Sequence, residues 1–173
     1  MIRRYGKAVQ NQRYVLRPGA YAILPRGTEV LLTHQAAPFW EYQLPGGGID
    51  PGESPISALH REVSEETGWS IATPRRIGAF RRFTYMPEYE IWAEKLCHVF
   101  VAHPVRAHGP PREIGHTAVW ASASVVAKIL HDDGGREFFL KSQVLRKILP
   151  KIPHHTPAKQ LKYRQGKAGR PQI

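Results

Sequence analysis

Apolar positions along the chain group into runs with two different periods. Residues 18–35, PGAYAILPRGTEVLLTHQ, hold two apolar stretches on either side of Arg26-Gly27-Thr28, which predicts a β-hairpin. Ile77–Tyr85 and Glu94–His103 read as strands. The second is almost continuously apolar through Leu96, Cys97, Val99, Phe100 and Val101, as expected of a strand covered on both faces. Ala118-Val119-Trp120 predicts a further short strand. Helical spacing begins after Ser54-Pro55, an N-cap followed by a proline suited to the first helical position, and ends at Gly68. Two more helices are expected, one from Ser122 or Ser124 to about Leu130 and one over Arg136–Leu149. Strands interleaved with helices predict a layered α/β domain over residues 15–148. It lies between a basic N-terminal segment, 1–14, and a basic tail, 149–173.

The helix over 55–67 carries the chemistry. At 100° per residue Ile56, Leu59, Val63 and Thr67 share one side. Glu62, Glu65 and Glu66, spaced i, i+3, i+4, converge on one patch. Like charges at this spacing destabilise a bare helix by a few tenths of a kcal/mol each. Arg61 points to the flank on this reading, and one cation does not neutralise three carboxylates, whereas hard divalent cations would. A solvated acidic face is the bland alternative. The preceding loop shifts the balance: Pro45-Gly46-Gly47-Gly48 can bring backbone close to a ligand, and Glu53 stands where it can pair with Arg61.

Gly47, five residues, Glu53, seven residues, Arg61-Glu62-Val63, one residue, Glu65-Glu66, one residue and Gly68 is similar to the Nudix box. Seven fixed letters at average usage would meet by chance on the order of once in 10⁸ windows. Trp69 departs from the pattern, which usually closes on an aliphatic residue. The resemblance implies an α/β/α sandwich with a mixed β-sheet and an enzyme that cleaves the pyrophosphate bond of a nucleoside diphosphate linked to another moiety. It implies Mg²⁺, or Mn²⁺, held by Glu62, Glu65, Glu66 and the Gly46 carbonyl, and a structural salt bridge between Glu53 and Arg61. For the general base it leaves a box glutamate or a carboxylate from a later loop. Glu113 is the best later candidate and His116 the second; an exposed loop acid is the plain alternative for Glu113.

The substrate is less legible. Phe39, Trp40 and Tyr42 could stack a base or pack a core or lid, and Arg75, Arg76, Arg81 and Arg82 flank the strand after the box. Tyr85, sixteen residues beyond Trp69, is a position where the resemblance points to dinucleoside polyphosphates. Trp40, Tyr42, Arg81 and Tyr85 are thus the substrate-binding candidates. The run WEYQLPGGGIDPGES also resembles enzymes that remove pyrophosphate from RNA 5′ ends, and a Nudix-fold module that binds nucleotide or RNA without hydrolysis is a further alternative.

Charge favours RNA only until it is located. The net charge is +11, and five cations in residues 1–17 with six in 151–173 supply all of it, without one acid; the remainder holds 14 basic and 14 acidic side chains. Basic ends attract phosphate polymers, but they also serve as plain solvated tails. One cysteine excludes a disulfide framework, and no HExxH, zinc spacing, GxGxxG or Walker loop is present. Neither a membrane-spanning run nor a signal peptide is read, so the expected setting is cytoplasmic and without membrane contact. The expected partner is a small nucleotide, with RNA possible through the basic termini and a homodimer allowed.

Overall fold

The computed structural model describes residues 2–37 and 39–142, with Glu88 described by its backbone alone. Its strands are β1 (Arg3–Tyr5), β2 (Val15–Arg26), β3 (Glu29–Gln35), β4 (Glu41–Gln43), β5 (Gly46–Gly48), β6 (Trp69–Met86), β7 (Ile91–Ala107) and β8 (His116–Ser122). The helices are α1 (Pro55–Thr67), α2 (Ala123–Ile129) and α3 (Asp133–Lys141). All the strands form one mixed sheet in the order β1-β6-β7-β2-β3-β4, with β5 paired to β2 and β8 to β3. As its apolar run predicts, β7 lies inside, antiparallel to β6 and parallel to β2.

Alternation along the strands creates two cores. Ala20, Ala22, Leu24, Leu31, Phe100 and Ala102 face α1 and bury its Ala58, Leu59 and Val63. Ile23, Val30, Leu32, Cys97, Val99 and Val101 face the other way, toward Val126 of α2 and Phe139 of α3. The result is helix, sheet, helix. Leu59 and Val63 are wholly buried, and burial of such a side chain contributes about 1.5–3 kcal/mol. Ile56, expected on the same apolar side, is instead exposed at the start of α1. Burial pushes the Cys97 thiol up to about 12, which makes it an inert core group.

Helix α1 begins and ends where its sequence signals say. The Ser54 hydroxyl accepts from the Ser57 N–H, Pro55 opens the first turn, and Gly68 closes the helix with φ at 72°. A side chain at Gly68 would also collide with the Gly109 carbonyl. Trp69 has a structural use: its ring meets Trp120 edge-on at 5.4 Å, and the Arg26 guanidinium lies 3.7 Å above Trp120 and 4.9 Å from Trp69.

Three expectations change. β6 and β7 extend well beyond the predicted strands, because their pairing runs from Trp69↔Ala107 to Met86↔Ile91. The last described helix begins earlier than expected, at Asp133, where the Asp132 carboxylate caps the Gly135 N–H; residues 143–149 of the predicted helix and the tail 149–173 lie outside the described residues. The N-terminal segment is not merely solvated: Arg3–Tyr5 pairs in parallel with Phe80–Arg82, and Arg3 and Tyr5 both bond to Glu137 of α3. Among the described residues no helix is long and apolar enough to cross a membrane.

Candidate active site

The site is built where β5, the final turns of α1 and the segment before β8 meet. β5 lies along Gly19–Tyr21 and returns the chain beside α1. A side chain at Gly47 would meet the Glu62 carboxylate and push it from its place, so the glycine lets that carboxylate lie against the loop. The Gly46 N–H donates to Glu66 Oε2 at 2.8 Å. On the far side, the Arg112 and Glu113 N–H groups donate to the Glu65 carbonyl at 2.8 and 3.0 Å, and His108 N–H donates to the Gly68 carbonyl at 2.8 Å. Helix ends leave their last carbonyls open, and here those carbonyls hold the loop that carries Glu113 and His116.

Arg61 does not point to the flank. Its guanidinium donates to both oxygens of Glu53, at 3.1 and 2.8 Å, and to the Gly48 carbonyl at 2.9 Å. It also reaches Glu62 Oε1 at 2.8 Å and Glu65 Oε2 at 3.3 Å. A helical wheel fixes where a Cβ lies, not where the long side chain beyond it turns. Arg61 therefore partly neutralises two of the three box carboxylates while joining loop to helix. Its hydrogen bonds hold the Glu53 carboxyl below the usual range.

Glu66 stands apart from that cation. Its side chain is 7% exposed, and burial pushes its pKa well above 4.5, against the pull of the Gly46 N–H and with repulsion from Glu113 and Glu62 adding to the rise. Burial raises Glu62 as well, with Arg61 opposing. His116 Nδ1 lies 3.5 Å from Glu66 Oε1, and its Nε2 lies 3.7 Å from Glu113 Oε1. Burial holds the imidazole below its ordinary value. One ligand atom each from Glu66, Glu113 and His116 lie within 4.8 Å of one another, a set able to hold a metal ion. Beside them Arg61, Glu62, Glu65, Arg112 and Glu113 line an open cleft of about 430 Å³.

The substrate candidates divide. Tyr85 lies at the rim of a second cleft of about 180 Å³, together with Phe39, Gln43, Arg82 and Lys95. Trp40 is 68% exposed and does not line it. Tyr42 packs against the core and against His34, 4.7 Å between ring centres. The Arg81 guanidinium is bonded to Glu94 at 2.9 Å. Gln43 and Lys95 went unread in the sequence because isolated polar residues on strands carry no local signal. The sheet order, β7 beside β2, β2 beside β3 and β3 beside β4, brings them to one opening.

Comparison with known proteins agrees with this architecture. A region of a Bacillus subtilis protein named as a candidate 8-oxo-dGTP diphosphatase is 36% identical over 76 residues, 43% of this chain and 50% of that protein. A Helicobacter pylori protein named RNA pyrophosphohydrolase is 42% identical over 57 residues, 30% of this chain and 37% of its own length. This chain therefore spans half or less of these curated relatives. The solved structure of a NUDIX hydrolase from Nitrosomonas europaea shares the fold, with a TM-score of 0.58 at 22% identity, over 70% of this chain and 84% of that one. The model of the NUDIX domain matches residues 15–141, from the first residue of β2 to the last of α3, and the chain belongs to that family.

Proposed function

We propose that the protein is a metal-dependent pyrophosphohydrolase acting on a nucleoside diphosphate joined to another moiety. The observation that carries this reading is the buried Glu66 carboxylate, grouped with Glu113 and His116 beside the cleft of Glu62 and Glu65. A pyrophosphate entering such a cleft meets repulsion unless divalent cations lie between. Glu62, Glu65, Glu66 and the Gly46 carbonyl are the proposed holders of Mg²⁺ or Mn²⁺. When bound, the metal supplies charge neutralisation, polarisation of a phosphoryl oxygen and a more acidic water. Glu113, 46% exposed and lining the cleft, is the proposed acceptor of the attacking water's proton. Arg61 and Glu53 keep loop and helix together, and Arg112 adds a cation to the cleft.

For the remainder of the substrate, Phe39 and Tyr85 offer ring faces and Arg82 and Lys95 offer cations in the neighbouring cleft. These favour a dinucleoside polyphosphate or nucleotide sugar. The name of the Helicobacter relative favours the second reading, RNA carrying a 5′ polyphosphate. Turnover should be compared on dinucleoside polyphosphates, ADP-ribose and other nucleotide sugars, 8-oxo-dGTP and 5′-triphosphate RNA. Loss of turnover in EDTA and in Glu65→Gln, by about 10²- to 10⁴-fold, is the expected result. Full activity in EDTA would reject the metal reading, and binding without turnover on every substrate would make the protein a non-hydrolytic binding module.

A further inference from the structure

A small chamber lies on the side of the sheet that faces α3. Tyr21, Gln43, Arg82, Lys95 and Asp132 bring polar groups to it, and Leu44, Phe80 and Leu130 give it apolar walls. Its volume of about 30 Å³ admits one or two oxygen-sized groups, not a ring. Through Gln43, Arg82 and Lys95 it continues into the cleft of Phe39 and Tyr85. Tyr21 also pairs with Gly46, whose N–H donates to Glu66, so the chamber adjoins the box loop. Its polar groups are unevenly served. Among the described residues Tyr21 Oη is the one buried side-chain nitrogen or oxygen without a hydrogen bond. Burial pushes this phenol up to about 12, so it keeps its proton at neutral pH. Lys95 Nζ lies 5.6 Å from the Tyr21 ring centre, but an ammonium has three donors and no acceptor and cannot take that proton. Asp132 caps the Gly135 N–H with one oxygen; the other lies 3.6 Å from the Arg82 guanidinium, too far for a hydrogen bond. A phenol proton and an ammonium thus face a space that also holds an underused carboxylate oxygen.

We propose that this chamber takes the keto oxygen of a nucleobase, so that the protein selects bases with a keto group beside a ring N–H over adenine and cytosine. Guanine, hypoxanthine and uracil have that edge. The keto oxygen accepts from the Tyr21 hydroxyl and from Lys95, and the neighbouring ring N–H donates to Asp132 Oδ1. The ring itself stays in the outer cleft, beside Phe39 and Tyr85. Adenine would set an amino group against Lys95 and Tyr21 and a bare ring nitrogen against Asp132. Donors would then meet donors and an acceptor an acceptor, a mismatch that a site built for hydrogen bonds rejects strongly. Lys95 lines both spaces, and its three donors allow it to meet a phosphate as well. The inference rests on the pyrophosphohydrolase reading above for what is cleaved and adds which bases the substrate carries.

Inosine and adenosine monophosphates differ only at that edge. Neither has a pyrophosphate bond to cleave, so their binding is read apart from turnover. Calorimetric titration of the full-length protein should show the inosine nucleotide binding at least about tenfold more tightly. Tyr21→Phe should weaken it by about fivefold or more and leave the adenosine nucleotide within about twofold. The same variant should melt no lower than the wild type, because the fold has no bond to that hydroxyl to lose. A clearly lower melt would make the hydroxyl structural and count against the site. Equal affinity for the two nucleotides overturns the base reading and leaves pyrophosphate hydrolysis standing, and so does the absence of binding up to about 10 mM. Should Tyr21→Phe weaken inorganic pyrophosphate as much as the inosine nucleotide, the chamber takes a phosphate oxygen and the base reading falls. The wild-type comparison needs no variant, so it decides even where a variant fails to fold.

Discussion

On the proposed reading Glu66 serves the reaction, whereas its burial disfavours the charged carboxylate in the apo fold, so one substitution should move turnover and stability in opposite directions. Burial raises its folded pKa well above 4.5, so the native state keeps a proton that the unfolded chain releases. The stability this supplies is fully present below about pH 4.5 and is lost as pH rises through the raised value. Metal-free wild type should therefore melt at progressively lower temperature as pH climbs through that window. Glu66→Gln should flatten the trend and melt higher at pH 7, while losing turnover by about 10²- to 10⁴-fold. Melts in EDTA from pH 4.5 upward check this; parallel curves for the two proteins would show that the carboxylate is not strained. At this scale the box residues were legible because their chemistry is local: Gly47, Glu53 and the glutamates sit at fixed offsets on a loop and one helix. Thr33 was not. It is one threonine in an apolar strand, and only the β3–β8 pairing, with Gln35 opposite His116, brings its hydroxyl to the imidazole.

Between elements, the fastenings are ionic forks. Arg61 joins the loop after β5 to α1 through Glu53, with side chains 31% and 17% exposed. Hydrogen bonds to charged groups contribute about 1.5–3 kcal/mol, and solvent screening places this half-buried fork in the lower part of that range. Arg61→Met should cost roughly 1–2 kcal/mol of stability in denaturant melts. Because the guanidinium also touches Glu62 and Glu65, it should reduce turnover too; Arg61→Lys should recover charge but not the two-pronged contact with Glu53. A second fastening holds β1 to α3, where Glu137 takes Arg3, Lys141 and the Tyr5 hydroxyl. Lys141, then Tyr5 and Arg3, pull its carboxyl down to about 2. A lowered carboxylate stabilises above its ordinary 4.5, and that contribution is lost as pH falls toward 2. Relative to intrinsic rates, the amides of Arg3–Tyr5 should be well protected at pH 6 and less protected near pH 3, and Glu137→Gln should remove the difference. Protection that is equal at both pH values, once intrinsic rates are divided out, would refute the clasp. β1 could not be read beforehand: Arg3-Arg4-Tyr5 has no alternation, and partners about 75 and 130 residues away make it a strand.

For the molecule as a whole, the question is what its +11 charge does. The structure already gives part of the N-terminal excess a use inside the fold, since Arg3 is bonded to Glu137 and Arg4 lies 3.8 Å from Glu94. Those two cations are thus partly neutralised by carboxylates and are weaker candidates for holding a polyanion than the sequence alone suggested. The six cations of residues 151–173 have no acid in their own segment. Deleting 151–173 removes them without altering any residue of the two clefts. For a small nucleotide, whose phosphates on the proposed reading meet the metal and cleft cations such as Arg112, Arg82 and Lys95, kcat/KM should stay within about twofold. For RNA the outcome differs: every phosphate deprived of its cation should flatten the slope of log affinity against log salt by somewhat under one unit. We expect the first result, turnover of a dinucleoside polyphosphate that ignores the truncation. Measured on both substrates across 50–200 mM salt, a truncated protein that keeps its dinucleotide activity but binds RNA with a flatter slope and weaker affinity would reverse that expectation. It would make the 5′ end of RNA the leading substrate and the tail its electrostatic handhold.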